Sequence, residues 1–299
     1  MSAAIPQEWI DLIDQGHLAQ AKEKLLERYR EDKKDAQVLF LLGLIHFKQD
    51  DYDQAIEYLT KSVELDDSND RAYEILGQAY GFKAERAGIV KSAMLLSKMK
   101  KAFQSALELN DQALGALEGL FMFHLFAPGV AGGDQQKAME YLDRIKQVNP
   151  ARGHLAQALL YGKQKQPEKA EQEFDQAVAK GGDDADVLMK AGRFYMNYQK
   201  FDKAQQALER YVALKPEDPS GRDALGDLML HQQKPQEALD YFNRAVELNA
   251  SFYPAIFNKG RALKQLGRKE EARQAFQQVI QMDKKNPMAA KAKQELQSL

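Results

Sequence analysis

The chain has no cysteine among its 299 residues. Disulfides, thiolate metal sites, iron–sulfur clusters and a thiol nucleophile are therefore excluded. Proline is scarce at 9 residues and glycine stands at 19, too few for disordered or collagen-like tracts. No apolar run approaches the roughly 20 residues that a membrane-spanning helix needs. Met1 to Ile10 carries neither a basic leader nor an apolar core, so the chain as written reads as cytoplasmic, or as periplasmic if a leader has been removed. Charge of one sign is also lacking, with 42 Lys/Arg against 44 Asp/Glu and a net charge of −2. Nucleic-acid binding rests on many basic contacts to phosphate, so no nucleic-acid partner is expected.

Sites of catalysis are missing too. The five histidines are far apart in sequence, and no HExxH pair occurs. No Gly-x-Ser-x-Gly elbow is present. Five places after Gly129, Asp134 stands where a phosphate loop needs its second glycine before Lys and Ser or Thr, and the stretch follows a helix where such a loop follows a strand. Asp66-Asp67-Ser68-Asn69-Asp70 opens like a calcium loop. Arg71 then stands where such a loop needs glycine, and Gly77 where it needs glutamate. No metal, cofactor or catalytic residue is expected, and the chain reads as a non-enzyme.

What the sequence does have is repetition. Gly43, Gly77, Gly192, Gly226 and Gly260 recur in register, and Ala55, Ala204, Ala238 and Ala272 each follow a glycine by 12 positions. A large apolar residue comes four later: Leu59, Leu208, Phe242 and Phe276. The step from Gly192 to Gly226 to Gly260 is 34 residues. Small residues let two antiparallel helices approach, and the larger ones three or four away build an apolar stripe. The expected contact is glycine of the first helix against alanine of the second.

At Tyr73-x-x-Leu76-Gly77-x-x-Tyr80, Ala170-x-x-x-Phe174 and Ala238-x-x-x-Phe242, with Pro150 and Pro216 at the closing position, the chain resembles the tetratricopeptide repeat family. The resemblance implies an all-α fold, a right-handed α-solenoid superhelix of about eight helix-turn-helix repeats in one array over residues 1–299. The partition is 2–35, 36–69, 70–113, 114–150, 151–184, 185–218, 219–252 and 253–286, with a capping helix at 287–299 that shields the apolar end. Two repeats are long. The third holds six basic residues against one acid over 81–101, whereas residues 1–70 hold 8 Lys/Arg against 16 Asp/Glu. Its surplus reads as lengthened helices with Ile89, Ala93, Leu96 and Met99 on one side, packed on the chain's own acidic repeats; membrane association is the less favoured reading. The fourth carries a loop through Pro128, Gly129, Gly132 and Gly133 that ends in the helix cap Asp134. This loop is similar to that of a group of bacterial tetratricopeptide proteins and, more distantly, to the T-component of tripartite solute transporters and to a family regulating microtubule dynamics.

The family implies a scaffold that binds another protein or peptide in its concave groove. The groove positions carried over are Phe40, Leu44, Phe47, Met122, Leu125, Phe126, Leu155 and Leu159, an apolar half. The charged half is Asp186, Arg193, Asp223, Asp227 and Arg261. Members that grip a chaperone tail use lysine and asparagine at positions held here by Met189, Arg193, Ala224, Pro254 and Asn258, so that role is disfavoured. The alternative is a periplasmic carrier or transporter-associated component with a small apolar ligand in the fourth repeat. There Leu117, Leu120, Phe121, Met122, Phe123, Leu125 and Phe126 make a helix apolar on more faces than two neighbours need.

Overall fold

The computed structural model describes residues 5–282 and 287–299. The first positions of the first repeat and the close of the eighth, 283–286, lie outside them. The described residues form 17 α-helices and no strand. They divide into two compact units, residues 1–149 and 150–299.

The first unit holds α1 (Gln7–Asp14), α2 (Leu18–Glu31), α3 (Ala36–Lys48), α4 (Tyr52–Leu65), α5 (Asp70–Glu85), α6 (Ile89–Leu109), α7 (Leu114–Phe126) and α8 (Gln135–Val148). The second holds α9 (Pro150–Lys163), α10 (Pro167–Gly181), α11 (Ala185–Asn197), α12 (Phe201–Leu214), α13 (Pro219–His231), α14 (Pro235–Leu248), α15 (Tyr253–Gln265), α16 (Lys269–Met282) and α17 (Pro287–Gln297). Helix α9 opens on Pro150 itself, so this proline starts a repeat rather than closing the one before; proline suits a first helical turn because it lacks only an amide that has no partner there. Pro216, by contrast, lies in the turn between α12 and α13.

Local sequence sets the helix ends. Asp35, Asp51, Asn69, Asp134, Asp184 and Asp218 each accept hydrogen bonds from first-turn amides. The turn from first to second helix recurs as one motif. An amide reaches back five residues, as from Asp51 to the His46 carbonyl, Lys200 to Tyr195, Lys234 to Met229 and Arg268 to Leu263. The residue just before it adopts positive φ: Gly16, Asp50, Lys165, Gln199, Gln233 and Gly267. That is the Schellman closure, and four of its six left-handed positions are not glycine.

Packing between paired helices differs from the expected contact. A methyl added at Gly192 would sit 2.7 Å from Leu208, at Gly226 2.5 Å from Phe242, and at Gly260 2.6 Å from Phe276. Each glycine thus receives the large residue of the second helix, not the alanine. The alanines Ala204, Ala238 and Ala272 are fully buried beside it. The reason is geometric: the large side chain needs the whole groove that a missing Cβ leaves.

First helices of successive repeats also touch one another, α3 with α5 and α5 with α7 in one unit, α11 with α13 and α13 with α15 in the other. Consecutive second helices make at most marginal contact. Each unit therefore curves with its first helices inside. Helix α17 packs on α15 and α16 through Ala289 and Ala292, and Lys264 holds Glu295 at 2.7 Å.

Candidate functional site

The inner face of the second unit is polar and connected. The 34-residue register places Arg193 on α11, Asp227 on α13 and Arg261 on α15 at equivalent positions. Arg261 Nη1 donates to Asp227 Oδ1 and to Asn258 Oδ1, both at 3.0 Å. Asn258 Nδ2 then donates to Asp223 Oδ1 at 3.0 Å. Asp223 is buried, and burial, with repulsion from Asp227, pushes its carboxyl up to about 6 against the pull of Asn258, Arg193 and Arg261. Its charge is thus only partly compensated near neutral pH. Arg193 is exposed and enters no salt bridge among the described residues. Asp186, the other charged groove residue, is taken up by Arg152 and Lys190. The face presents the Arg193 guanidinium and the half-buried Asp227–Arg261 pair, with Asp223 and Asn258 buried beneath them.

The apolar candidates separate by depth. Leu44, Leu125 and Leu155 are buried in the core and are corrected from groove residues to packing residues. They lie on the sides of their helices that face neighbouring helices, where a partner has no access. Phe40, Phe47 and Leu159 are half-buried. Met122 and Phe126 are exposed, at 40% and 51%. Leu155 and Leu159 belong to the second unit, the other apolar residues to the first.

The loop after α7 leaves Met122 and Phe126 at that exposure. It closes on itself, the Ala131 and Gly133 amides donating to the Pro128 carbonyl, and Asp134 N donates to the His124 carbonyl at 3.0 Å. Gly133 has no room for a Cβ against the Ala127 carbonyl, and Gly132 sits at φ +97°. His124 is buried and stacks on Tyr141 at 5.7 Å; burial, then Lys100, hold its pKa below the usual histidine range. His46 is likewise a packed residue, stacked on Tyr58 at 5.4 Å with its pKa lowered first by burial.

Two features escaped the sequence. Phe47, Tyr52 and Phe82 form an aromatic group with ring centroids 5.3–5.9 Å apart, capped by the Arg86 guanidinium 4.8 Å from the Tyr52 ring. Phe82 falls in the lengthened α5, where no repeat position assigns it a neighbour. A groove of about 360 Å³ lies between α10, α11 and α12. Its polar groups satisfy one another: Tyr195 donates to Asp175 at 2.7 Å, and Lys203 reaches Asp175 and Glu171. No group of metal-ligating residues occurs among the described residues, and no helix there is long and apolar enough to cross a membrane.

Paired helices in register, a glycine under a large residue, and a recurring left-handed turn define the class of helical-repeat scaffolds. Tetratricopeptide repeat patterns match residues 36–69, 163–228 and 229–296, together more than half of the chain, which belongs to that family. It is 28% identical over 121 residues to the type IV pilus assembly protein PilF of Pseudomonas aeruginosa, covering 39% of this chain and 48% of that protein. It is 30% identical over 133 residues to the lipoprotein NlpI homolog of Haemophilus influenzae, covering 44% and 38%. Anaphase-promoting complex subunit 3 of Schizosaccharomyces pombe matches at 23% over 203 residues, 67% of this chain and 28% of that one. The match thus spans about half or less of the length of each of these relatives. Yeast Tom70 shares the fold, with TM-score 0.66 at 15% identity over 95% of this chain and 60% of that structure.

Proposed function

We propose that the chain is a non-catalytic scaffold that holds a segment of another protein along the first-helix face of its second unit. Arg193, Asp227 and Arg261 read charged and backbone groups of that segment, and the buried Asp223 and Asn258 support them from beneath. The observation that carries this reading is Asp223. A buried carboxylate with one hydrogen bond costs stability, and such a cost is typically met where a site needs the group. The exposed guanidinium of Arg193 supplies the opposite charge for a ligand. Relatives named for pilus assembly and as a subunit of a complex support a protein as the partner class.

Selection of a displayed peptide library on the folded chain tests this. Selected peptides should bind Arg193→Ala and Arg261→Ala at least about tenfold more weakly, a loss of ~1.4 kcal/mol. Peptides that bind both variants as tightly as the parent chain remove the site from this face. Peptides sensitive only to Met122→Ser and Phe126→Ser would move it to the first unit.

A further inference from the structure

The α5–α6 hairpin is where the chain lengthens both helices of a repeat, to 16 and 21 residues, and part of that length is not used for packing. The buried stripe of α6 begins at Leu95 and continues through Met99, Ala102 and Ala106. Before it, Ile89, Val90 and Met94 are exposed at 91%, 78% and 63%, and Ala93 is exposed as well. The expected stripe of Ile89, Ala93, Leu96 and Met99 is therefore corrected: its first two members face solvent.

Helical spacing explains the arrangement. At about 100° per residue, Val90, Met94, Ser97 and Lys101 share one face, opposite Leu95, Met99 and Ala106. Lys91 and Lys98 border that face, and all six outward residues are exposed. Among the described residues, the expected counter-charge from the acidic first repeats reaches only Lys83 of this segment. Lys83 pairs with Asp53, but Lys91, Lys98 and Lys101 enter no salt bridge among the described residues. Helix α6 also starts bare. Gly88 supplies no side-chain cap, and the first turn carries no acid, so the positive end of the helix dipole stays uncompensated.

We propose that this hairpin end docks on an anionic lipid surface. Ile89, Val90 and Met94 enter the boundary between headgroups and acyl chains, while Lys91, Lys98 and Lys101 lie among the negative headgroups. Charge complementarity commits the surface to an anion. Over 81–101 six basic residues face one acid, Glu85. Apolar side chains at the end of a hairpin with lysines along their border match the order of a bilayer interface, apolar beneath and negative above. A surface with Ile89 so fully exposed suits a planar partner better than a protein side chain.

Sedimentation of the full chain with vesicles tests the proposal. The chain should pellet with vesicles of phosphatidylglycerol and phosphatidylcholine at low salt, and several-fold less at high salt or with phosphatidylcholine alone. Ile89→Ser with Val90→Ser and Met94→Ser should lose most binding at low salt, and so should Lys91→Glu with Lys98→Glu and Lys101→Glu. All six positions are exposed, so both triple variants should keep the parent thermal midpoint. No pelleting of the parent chain overturns the proposal. So does pelleting that the serine variant retains, which would mean charge attraction alone, the behaviour of a docking surface for an acidic protein segment.

Discussion

Repeats that keep the 34-residue turn and repeats that lose it differ in what they bury. In α9 to α16 the left-handed residue recurs at 165, 199, 233 and 267, and in the three pairs from α11 to α16 the large apolar side chain finds its glycine. In α5 to α8 that turn is replaced by residues 86–88 and by the loop 127–134. Exposed large apolar residues gather there: Phe82, Ile89, Val90, Met94, Met122, Phe126 and Val130, against only Tyr198 and Met282 among the described residues of the second unit. A strict period aligns every stripe with a neighbour's stripe, whereas an insertion slides part of a helix past any neighbour. The difference teaches that in a stacked protein, exposure follows register more than composition.

The largest expected effect sharpens this within one helix. Leu125→Ala should cost about 2–5 kcal/mol, since its side chain is 1% exposed and a cavity would remain. Met122→Ser with Phe126→Ser, three residues and one residue from it, should leave urea-unfolding stability within about 1 kcal/mol of the parent and the helical circular dichroism unchanged. Equal losses in the two variants would mean that the exposed side of α7 is core after all.

Next comes the regular region. Gly226→Leu must displace Phe242 and should cost ~1–3 kcal/mol in urea unfolding, with a broader transition because neighbouring repeats are coupled. Gly81→Ala in the lengthened repeat meets only the Met99 sulfur at 3.1 Å, the end of a flexible side chain. Its cost should be well below that of Gly226→Leu. A reversed ranking would break the link between register and tight packing.

The two units should also answer pH with opposite sign. Asp223 titrates near 6 folded and near 3.8 unfolded, so its favourable contribution is present below the unfolded value and is lost as pH rises through about 6. Asp223→Asn keeps an acceptor for Asn258 and should raise stability by ~1–3 kcal/mol at pH 7.5, with the gain vanishing by about pH 4. His46 and His124 are shifted down by burial, so their contribution is full above the unfolded value near 6.5 and is lost as pH falls below it. Hydrogen exchange measured at pH 7.5 and 5.5 should show α3 and α7 losing protection on acidification. If they gain it, the histidines are charged in the fold.

The smallest effect concerns the turns. Gln199→Gly and Gln233→Gly relieve a left-handed backbone at φ near +60° and should each stabilise the second unit by about 0.5–1 kcal/mol. A loss in both would mean that the glutamine side chains contribute more than the backbone relief.

The sequence by itself determined the repeating helical pair. Glycines spaced 34 apart, a large residue sixteen positions after each, and aspartates at the helix starts are local signals that hold wherever the segment packs. It also located the two long repeats, because a broken period is visible without coordinates. Only the tertiary structure decided which residue fills each glycine, since alanine and phenylalanine four apart share one helix face and compete for the same space. It alone separated Leu125 from Met122 and Phe126, because an all-apolar helix has no polar face to mark its outside. The left-handed turns at Asp50, Lys165, Gln199 and Gln233 carry no glycine to announce them; the stacked helices on either side impose that conformation. The chain from Asp223 through Asn258 to Arg261 and Asp227 joins side chains up to 38 positions apart. No local rule pairs such residues until α13 and α15 lie side by side.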